Sequence, residues 1–362
     1  MRKDIRREKH LQFGLEAEAL EPRQLLAVSP YKNAVLPIHA PDSLVTASIQ
    51  KIRPKIALDR SRVVGLPTTS IITTNITRNT TFFKGTTYVI WGEVHVKSGV
   101  TLTIQDGVTV LIRNGRIQGK NLTASALIFD SGSRMSATTV NFKAANDFNQ
   151  EVSFANNGGI FFLGTYKNAT KDGISTNPSY FGKSSFTATQ VNVAYLGRND
   201  PRYGDGNNKD RDDIDAISIL GVGTTEWKVK SVNSGYSGDD GFDVTNSDIN
   251  LEKLSVIYPV EDGLNISSST VTINKQIMVD MSLNNAPDRE LFDLEVDNGS
   301  SFIKLPIFTK VDLKGYWGNG LDEVNLQSFE MPRPPSGSNR IWYKFFGTLK
   351  AGPSTIYSIN RD

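Results

Sequence analysis

Two short segments carry the same polar signature. Asp239-Asp240-Gly241 and Glu261-Asp262-Gly263 stand 22 residues apart, and what lies between them shares little beyond apolar spacing. Further oxygen-bearing side chains gather around them: Asp213 and Asp215 before, Asp243 just after the first pair, then Asn265, Glu290 and Asp293. Carboxylates repeated in this way have three uses. A pair about 5 to 9.5 Å apart, one acting as acid and one as base, hydrolyses a glycosidic bond. Several oxygens together hold a hard cation such as Ca²⁺, which takes about six to eight oxygen ligands. As turn residues, aspartates accept backbone N–H bonds and order a chain reversal.

Composition removes much other chemistry. The chain of 362 residues has no cysteine, so disulfides, thiolate zinc sites and a cysteine nucleophile are excluded. Its histidines are His10, His39 and His95, two of them ahead of the first strand-like pattern. Lys and Arg total 40 against 38 Asp and Glu, a formal charge of +2, so no global field recruits nucleic acid or anionic lipid. No apolar run reaches the roughly 18 residues of a membrane helix. No organic cofactor is expected, since no phosphate-binding glycine loop is present.

The elements that must position the carboxylates are short strands. From residue 82, Val94/Val96, Leu102/Ile104 and Val108/Val110/Ile112 alternate with polar residues, punctuated by Gly92, Gly99, Gly107 and Gly115. A longer pattern then recurs, with apolar pairs at i, i+2 and at i+5, i+7. It reads Met135/Ala137/Val140/Phe142, Phe186/Ala188/Val191/Val193, Trp227/Val229/Val232, Ile249/Leu251/Leu254/Val256 and Val271/Ile273/Met278. Between these units lie Asp215-Ala-Ile217-Ser-Ile219, Asp240-Gly-Phe242-Asp-Val244, Asp262-Gly-Leu264-Asn-Ile266 and Glu290-Leu-Phe292-Asp-Leu294. Strands repeating every 22 to 28 residues or so, with no helix between them, predict the rungs of an all-β parallel solenoid. The two acidic pairs then occupy equivalent corners of adjacent rungs, with Gly241 and Gly263 expected to serve the bend through a positive φ. The row Ser218, Asp243, Asn265 and Asp293 is expected to point outward, exposed, along one sheet.

This rung pattern, with Gly99-Val-Thr-Leu-Thr-Ile104 near its start, resembles the single-stranded right-handed parallel β-helix of pectin-lyase-like proteins. Near the N-terminus, Leu20-Glu21-Pro22-Arg23-Gln24-Leu25-Leu26 resembles the LEPR-x-L-L signature of bacterial secreted and surface proteins. The expected organisation is a leader over residues 1–30 and an irregular, proline-rich linker over 31–80, the leader being mostly disordered. The β-helix follows over 81–310, with a C-terminal cap and extension over 311–362. The resemblances imply an extracellular or cell-surface location.

Long connections are expected to wall a cleft. The segment from Ala194 to Ile214 and the segment from Val279 to Arg289 are longer than the turns between them, and such loops carry function. The floor is expected to present Asp215, Asp240, Asp243, Glu261, Asp262, Asn265 and Asp293, with Arg198, Arg202, Arg211 and Arg289 along the walls. Asn208, Asp210 and Asp212 alternate like the opening of a calcium loop, with Asp205 just before them as a further candidate ligand and without the glycine and glutamate of an EF-hand. Trp317 is the expected aromatic platform, while Trp227 falls at an inward position.

These features predict a protein that binds, and in one reading processes, extracellular polysaccharide through an acidic cleft, with Ca²⁺ as the ion; its partners are polysaccharide or other cell-surface components. One alternative is a structural or adhesion module whose aspartates order turns or bind calcium. Another is a calcium-dependent polysaccharide lyase or glycoside hydrolase, with Asp213, Asp239, Asp240, Asp243 and Arg289 as catalytic candidates. Asp213/Asp215 followed by Asp239-Asp240 resembles the aspartate arrangement of polygalacturonase-type hydrolases. That family's Gly-His-Gly is replaced by Val260-Glu261-Asp262-Gly263, and its Arg-x-Lys is missing, so the activity does not carry over.

Overall fold

The computed structural model describes residues 68–113, 116–118, 121–123, 125–155, 158–199, 213–281, 283, 291–295, 298–306, 309–316, 321–322, 340–343 and 347–350. These residues lie in the compact unit Val63–Asp362, the chain's other unit being Met1–Arg62. Among the described residues the regular elements are all strands, and no helix is long and apolar enough to cross a membrane.

A 15-stranded sheet and an 8-stranded sheet run through the molecule, and their pairing is predominantly parallel. The chain alternates between them: Trp227–Gly235 in the larger sheet, Asp243–Thr245 in the smaller, then Asp248–Ile257, Leu264–Ser267, Thr270–Asp280 and Phe292–Glu295. Each coil therefore pairs with the one before it, which is a solenoid-like β fold. The long strands owe their shape to the double-pair pattern. Phe186 and Ala188, then Val191 and Val193, are buried in Ser185–Ala194, and two residues between the pairs shift the alternation so that both halves face the core. In the next coil Phe186 faces Trp227 and Val191 faces Val232.

One inward position departs from the expected register. Pairing between Asp248–Ile257 and Thr270–Asp280 shifts after Leu251, so that Leu251 faces Ile273 but Lys253 faces Gln276. The extra residue is a β-bulge, and it exchanges the faces beyond it. Ile277 and Val279 are buried in consequence, whereas Met278 is only partly so.

Aromatic side chains fill the middle of the core. Phe129 and Phe162 stack with centroids 5.0 Å apart, and Trp227, buried as its position requires, meets Phe162 edge to face at 5.4 Å. Each such burial contributes about 1.5–3 kcal/mol. Outside the core, side-chain amides form a ladder: Asn192 donates to Asn141 and Asn233 donates to Asn192, each at 2.8 Å.

The strands extend beyond 81–310. Thr68–Ile72 pairs in parallel with Thr86–Ile90, and Lys310–Tyr316 pairs in parallel with Thr270–Asp280. At the C-terminal end, Gly347–Lys350 and Arg340–Tyr343 pair antiparallel with Phe302–Leu305 and Lys310–Tyr316, covering strand edges that invite aggregation when open.

A hairpin inserted between Gly159–Leu163 and Ser185–Ala194 covers the outside of the smaller sheet. Its strands are Thr170–Lys171 and Ile174–Ser175. Asp172 and Gly173 between them take φ of 51° and 70°, the left-handed pair that a two-residue turn requires and Asp-Gly supplies. Ala169 and Ile174 bury themselves against Ile128, Phe161, Leu163 and Leu220 of the sheet's outer face. Glu226 ties down both ends of the insertion. Its buried carboxylate accepts N–H bonds from Thr165 at 3.0 Å, Ser184 at 3.2 Å and Gly223 at 2.9 Å.

Candidate functional site

The expected row exists in register. Ser218 pairs with Asp243, Asp243 with Asn265, and Asn265 with Asp293, one residue per coil along the outer face of the smaller sheet. Its exposure, however, differs from the expectation. Ser218 and Asp243 are buried, while Asn265 and Asp293 are partly so. The cause is the inserted hairpin, whose sequence lies far from the row it covers.

The hairpin brings Lys171 to this face, a residue the sequence reading passed over. Its Nζ lies 2.7 Å from Asp215 Oδ2 and 3.2 Å from Asp243 Oδ1. Ser218 Oγ also donates to Asp215 Oδ2, at 3.1 Å. Burial disfavours the Lys171 cation, but Asp215, Asp243, Asp240 and Asp172 outweigh it and hold its pKa well above the ordinary lysine value. Burial raises the Asp243 pKa to about 7, with Lys171 opposing and the Asp215 charge adding to the shift. Burial, followed by the charge of Asp215, also pushes the Asp240 carboxyl well above the usual range. The signal for Lys171 was present in Lys171-Asp172-Gly173-Ile174, since Asp-Gly between short strands marks a tight hairpin.

Asp240 belongs also to the corner that the sequence singled out. Oxygens of Asp239, Asp240 and Glu261 lie within 4.8 Å of one another. The Asp262 N–H donates to Asp240 Oδ1 at 3.0 Å, and the Gly241 N–H donates to the Asp262 carbonyl at 2.9 Å. The acidic pairs thus stack coil on coil, as the repeat implied. Gly241 and Gly263 serve this stacking through space rather than through a positive φ, which neither adopts. A Cβ on Gly241 would lie 2.2 Å from Val256 Cγ1, and one on Gly263 would lie 2.6 Å from the Leu291 carbonyl oxygen.

Immediately before this corner, three tyrosines stack. Tyr195 and Tyr236 stack nearly parallel with centroids 4.8 Å apart, and Tyr258 is tilted against Tyr236 at 5.4 Å. All three have left-handed backbones, with φ of 60°, 56° and 54°. Tyr236 is 38% exposed. A bulky residue in this region costs about 1–2 kcal/mol. The sequence signal was Tyr236 and Tyr258 at the rung interval, each three residues before Asp239 and Glu261.

Arg198, expected along a wall, is buried instead, in the short strand Arg198–Asn199 that pairs with Asp213–Ile214 at the base of the long connection. Arg202, Asp205, Asn208, Asp210, Arg211, Asp212, Arg289, Glu290 and Trp317 lie outside the described residues, as does the side chain of Asp213. On the far flank of the hairpin an open pocket of ≈ 480 Å³ is lined by Lys167, Asn168, Thr170, Thr245, Asn246 and Ser267, among others. Most of its lining residues carry an amide or a hydroxyl.

His95 is held in a separate polar cluster. Its Nδ1 lies 2.6 Å from Asp130 Oδ1 and its Nε2 lies 2.6 Å from Glu93 Oε1. Hydrogen bonds to Asp130 and then Glu93 outweigh burial and raise its pKa to about 9.

Comparison with protein-family models, with curated proteins and with solved structures finds no match to this chain.

Proposed function

We propose that this chain is a secreted or cell-surface bacterial protein, a right-handed parallel β-helix of pectin-lyase-like architecture, that binds extracellular polysaccharide. The site is the corner where the tyrosine stack adjoins Asp239, Asp240, Glu261 and Asp262. The supporting observation is the placing of Tyr195, Tyr236 and Tyr258, stacked beside carboxylates and kept in strained backbone. Strain of this kind concentrates at ligand sites. Aromatic edges and hydroxyls beside the partly exposed Glu261 suit a hydroxylated polymer running from coil to coil, with Asp239, Asp240 and Asp262 buried behind it. A calcium ion on Asp239, Asp240 and Glu261 offsets their mutual repulsion and supplies a positive charge for an acidic sugar. The LEPR-x-L-L resemblance supports the extracellular address.

Asp215 and Asp243 take no part in this binding, because Lys171 and its hairpin cover them. The same cover argues against a hydrolase built on those two carboxylates.

The test is affinity electrophoresis of the full chain through gels containing neutral and uronate polysaccharides, with calcium or a chelator. Retardation by at least one polymer is expected, weakened up to about tenfold by Tyr236→Ala, the worth of one aromatic contact. Equal migration in every gel would leave the structural or adhesion module as the better reading.

A further inference from the structure

The Lys171 cluster has the composition of a condensation site. One amine, its side chain 21% exposed, touches two fully buried carboxyl groups, and the apolar side chains Phe161, Ile174, Ile214 and Leu220 cluster on the same face. Ile174 pairs with Lys171 across the hairpin, and Ile214 precedes Asp215. The two oxygens of Asp215 differ sharply. Oδ2 accepts from both Lys171 and Ser218, whereas Oδ1 is buried with no hydrogen-bond partner among the described residues.

We infer that Lys171 and Asp215 condense to an intramolecular amide, a self-formed cross-link that fastens the inserted hairpin to the smaller sheet. The amine already sits at reacting distance: Nζ touches Oδ2, which places it about 3–4 Å from the carbon one bond beyond, the separation of a near-attack arrangement. Asp243 Oδ1, 3.2 Å from the same nitrogen, takes one proton from the ammonium. Asp243 passes that proton to Asp215 Oδ1, so that a neutral amine faces a neutral carboxylic acid; the freed lone pair attacks Asp215 Cγ and a C–N bond forms. Ser218 Oγ donates to Oδ2 as negative charge develops there. The nitrogen then loses its second proton to the Oδ1 hydroxyl, which leaves as water when its bond to carbon breaks. Ammonium and carboxylate become amide and water, and no other reactant is needed.

The site favours that outcome. Asp215, fully buried, and Lys171, largely so, each carry a desolvation cost, and the amide removes both. The oxygen expelled is the one without a hydrogen-bond partner among the described residues, while the retained oxygen keeps its hydroxyl donor. A chain without cysteine also gains a covalent staple that no reductant opens.

Peptide mapping by mass spectrometry of the purified full chain tests this directly. The expected result is a branched peptide joining Lys171 to Asp215, lighter than its two parts by one water, with no cleavage by trypsin after Lys171. Lys171→Arg and Asp215→Ala should each abolish it, and Asp243→Asn should slow its appearance in freshly folded protein. Recovery of linear peptides with free Lys171 and free Asp215 throughout the wild-type sample would overturn the inference. Unslowed cross-linking in Asp243→Asn would overturn the proton relay through Asp243.

Discussion

Lys171 Nζ lies 3.2 Å from Asp243 Oδ1, reaching from an inserted hairpin into a row of polar side chains that alternation alone would leave in solvent. This contact makes an outward-facing position part of the interior. Lys171→Ala removes both the amine and the cross-link it forms and leaves Asp215 and Asp243 covered without a partner, a loss of at least about 3–5 kcal/mol. Urea unfolding should show that loss, with much of it recovered when Asp215→Asn and Asp243→Asn are added. A loss below about 1 kcal/mol would mean that water reaches the carboxylates.

Gly241 sits where coils pack too closely for a side chain. Gly241→Ala drives a methyl group against Val256 and the Gly263 carbonyl, an overpacking that costs about 1–3 kcal/mol. Because the φ of Gly241 is not in the left-handed region, Gly241→Asn, which suits a positive φ, should be no better tolerated than alanine. Thermal unfolding of the two variants distinguishes crowding from backbone strain.

Tyr236 separates stability from binding. Tyr236→Gly loses ring stacking worth about 0.5–1.5 kcal/mol and regains a comparable amount from its left-handed backbone. The melting temperature should stay near that of wild type while retention in a polysaccharide gel weakens. A large drop in melting temperature would make the stack a structural device.

His95 gives the fold a pH dependence. Its pKa in the folded protein is about 9 against an ordinary 6.5, so the protonated ring is favoured by folding. That stabilisation is fully present below about pH 6.5 and is lost as pH rises through about 9. Asp130 and Glu93 carry the attraction, and Lys97, 2.9 Å from Asp130, opposes it. Comparing wild type with His95→Gln, the difference in melting temperature should shrink between pH 6 and pH 10. A constant difference across that range would show that His95 acts through packing alone.

Much of the architecture was legible because it is written in local periodicity. Phe186, Ala188, Val191 and Val193 alternate, break phase and alternate again, and the same spacing in later coils forces a stack. The common register of Ser218, Asp243, Asn265 and Asp293 followed from the same two-residue period. Met278 escaped this reading, since a single bulged residue inverts every face after it while leaving composition unchanged.

The candidate site was less legible, for a different reason. The sequence by itself determined that carboxylates recur at one corner of successive coils, because strand alternation and rung length are properties of neighbouring residues. Only the tertiary structure decided which of them meet solvent. Asp215 and Asp243 are enclosed by a hairpin from a distant part of the chain, Asp239 and Glu261 draw together across coils, and the partners of Tyr236 come from the coils on either side. Burial, charge pairing and ring stacking depend on which distant segments arrive at the same place, and no local period encodes that arrival.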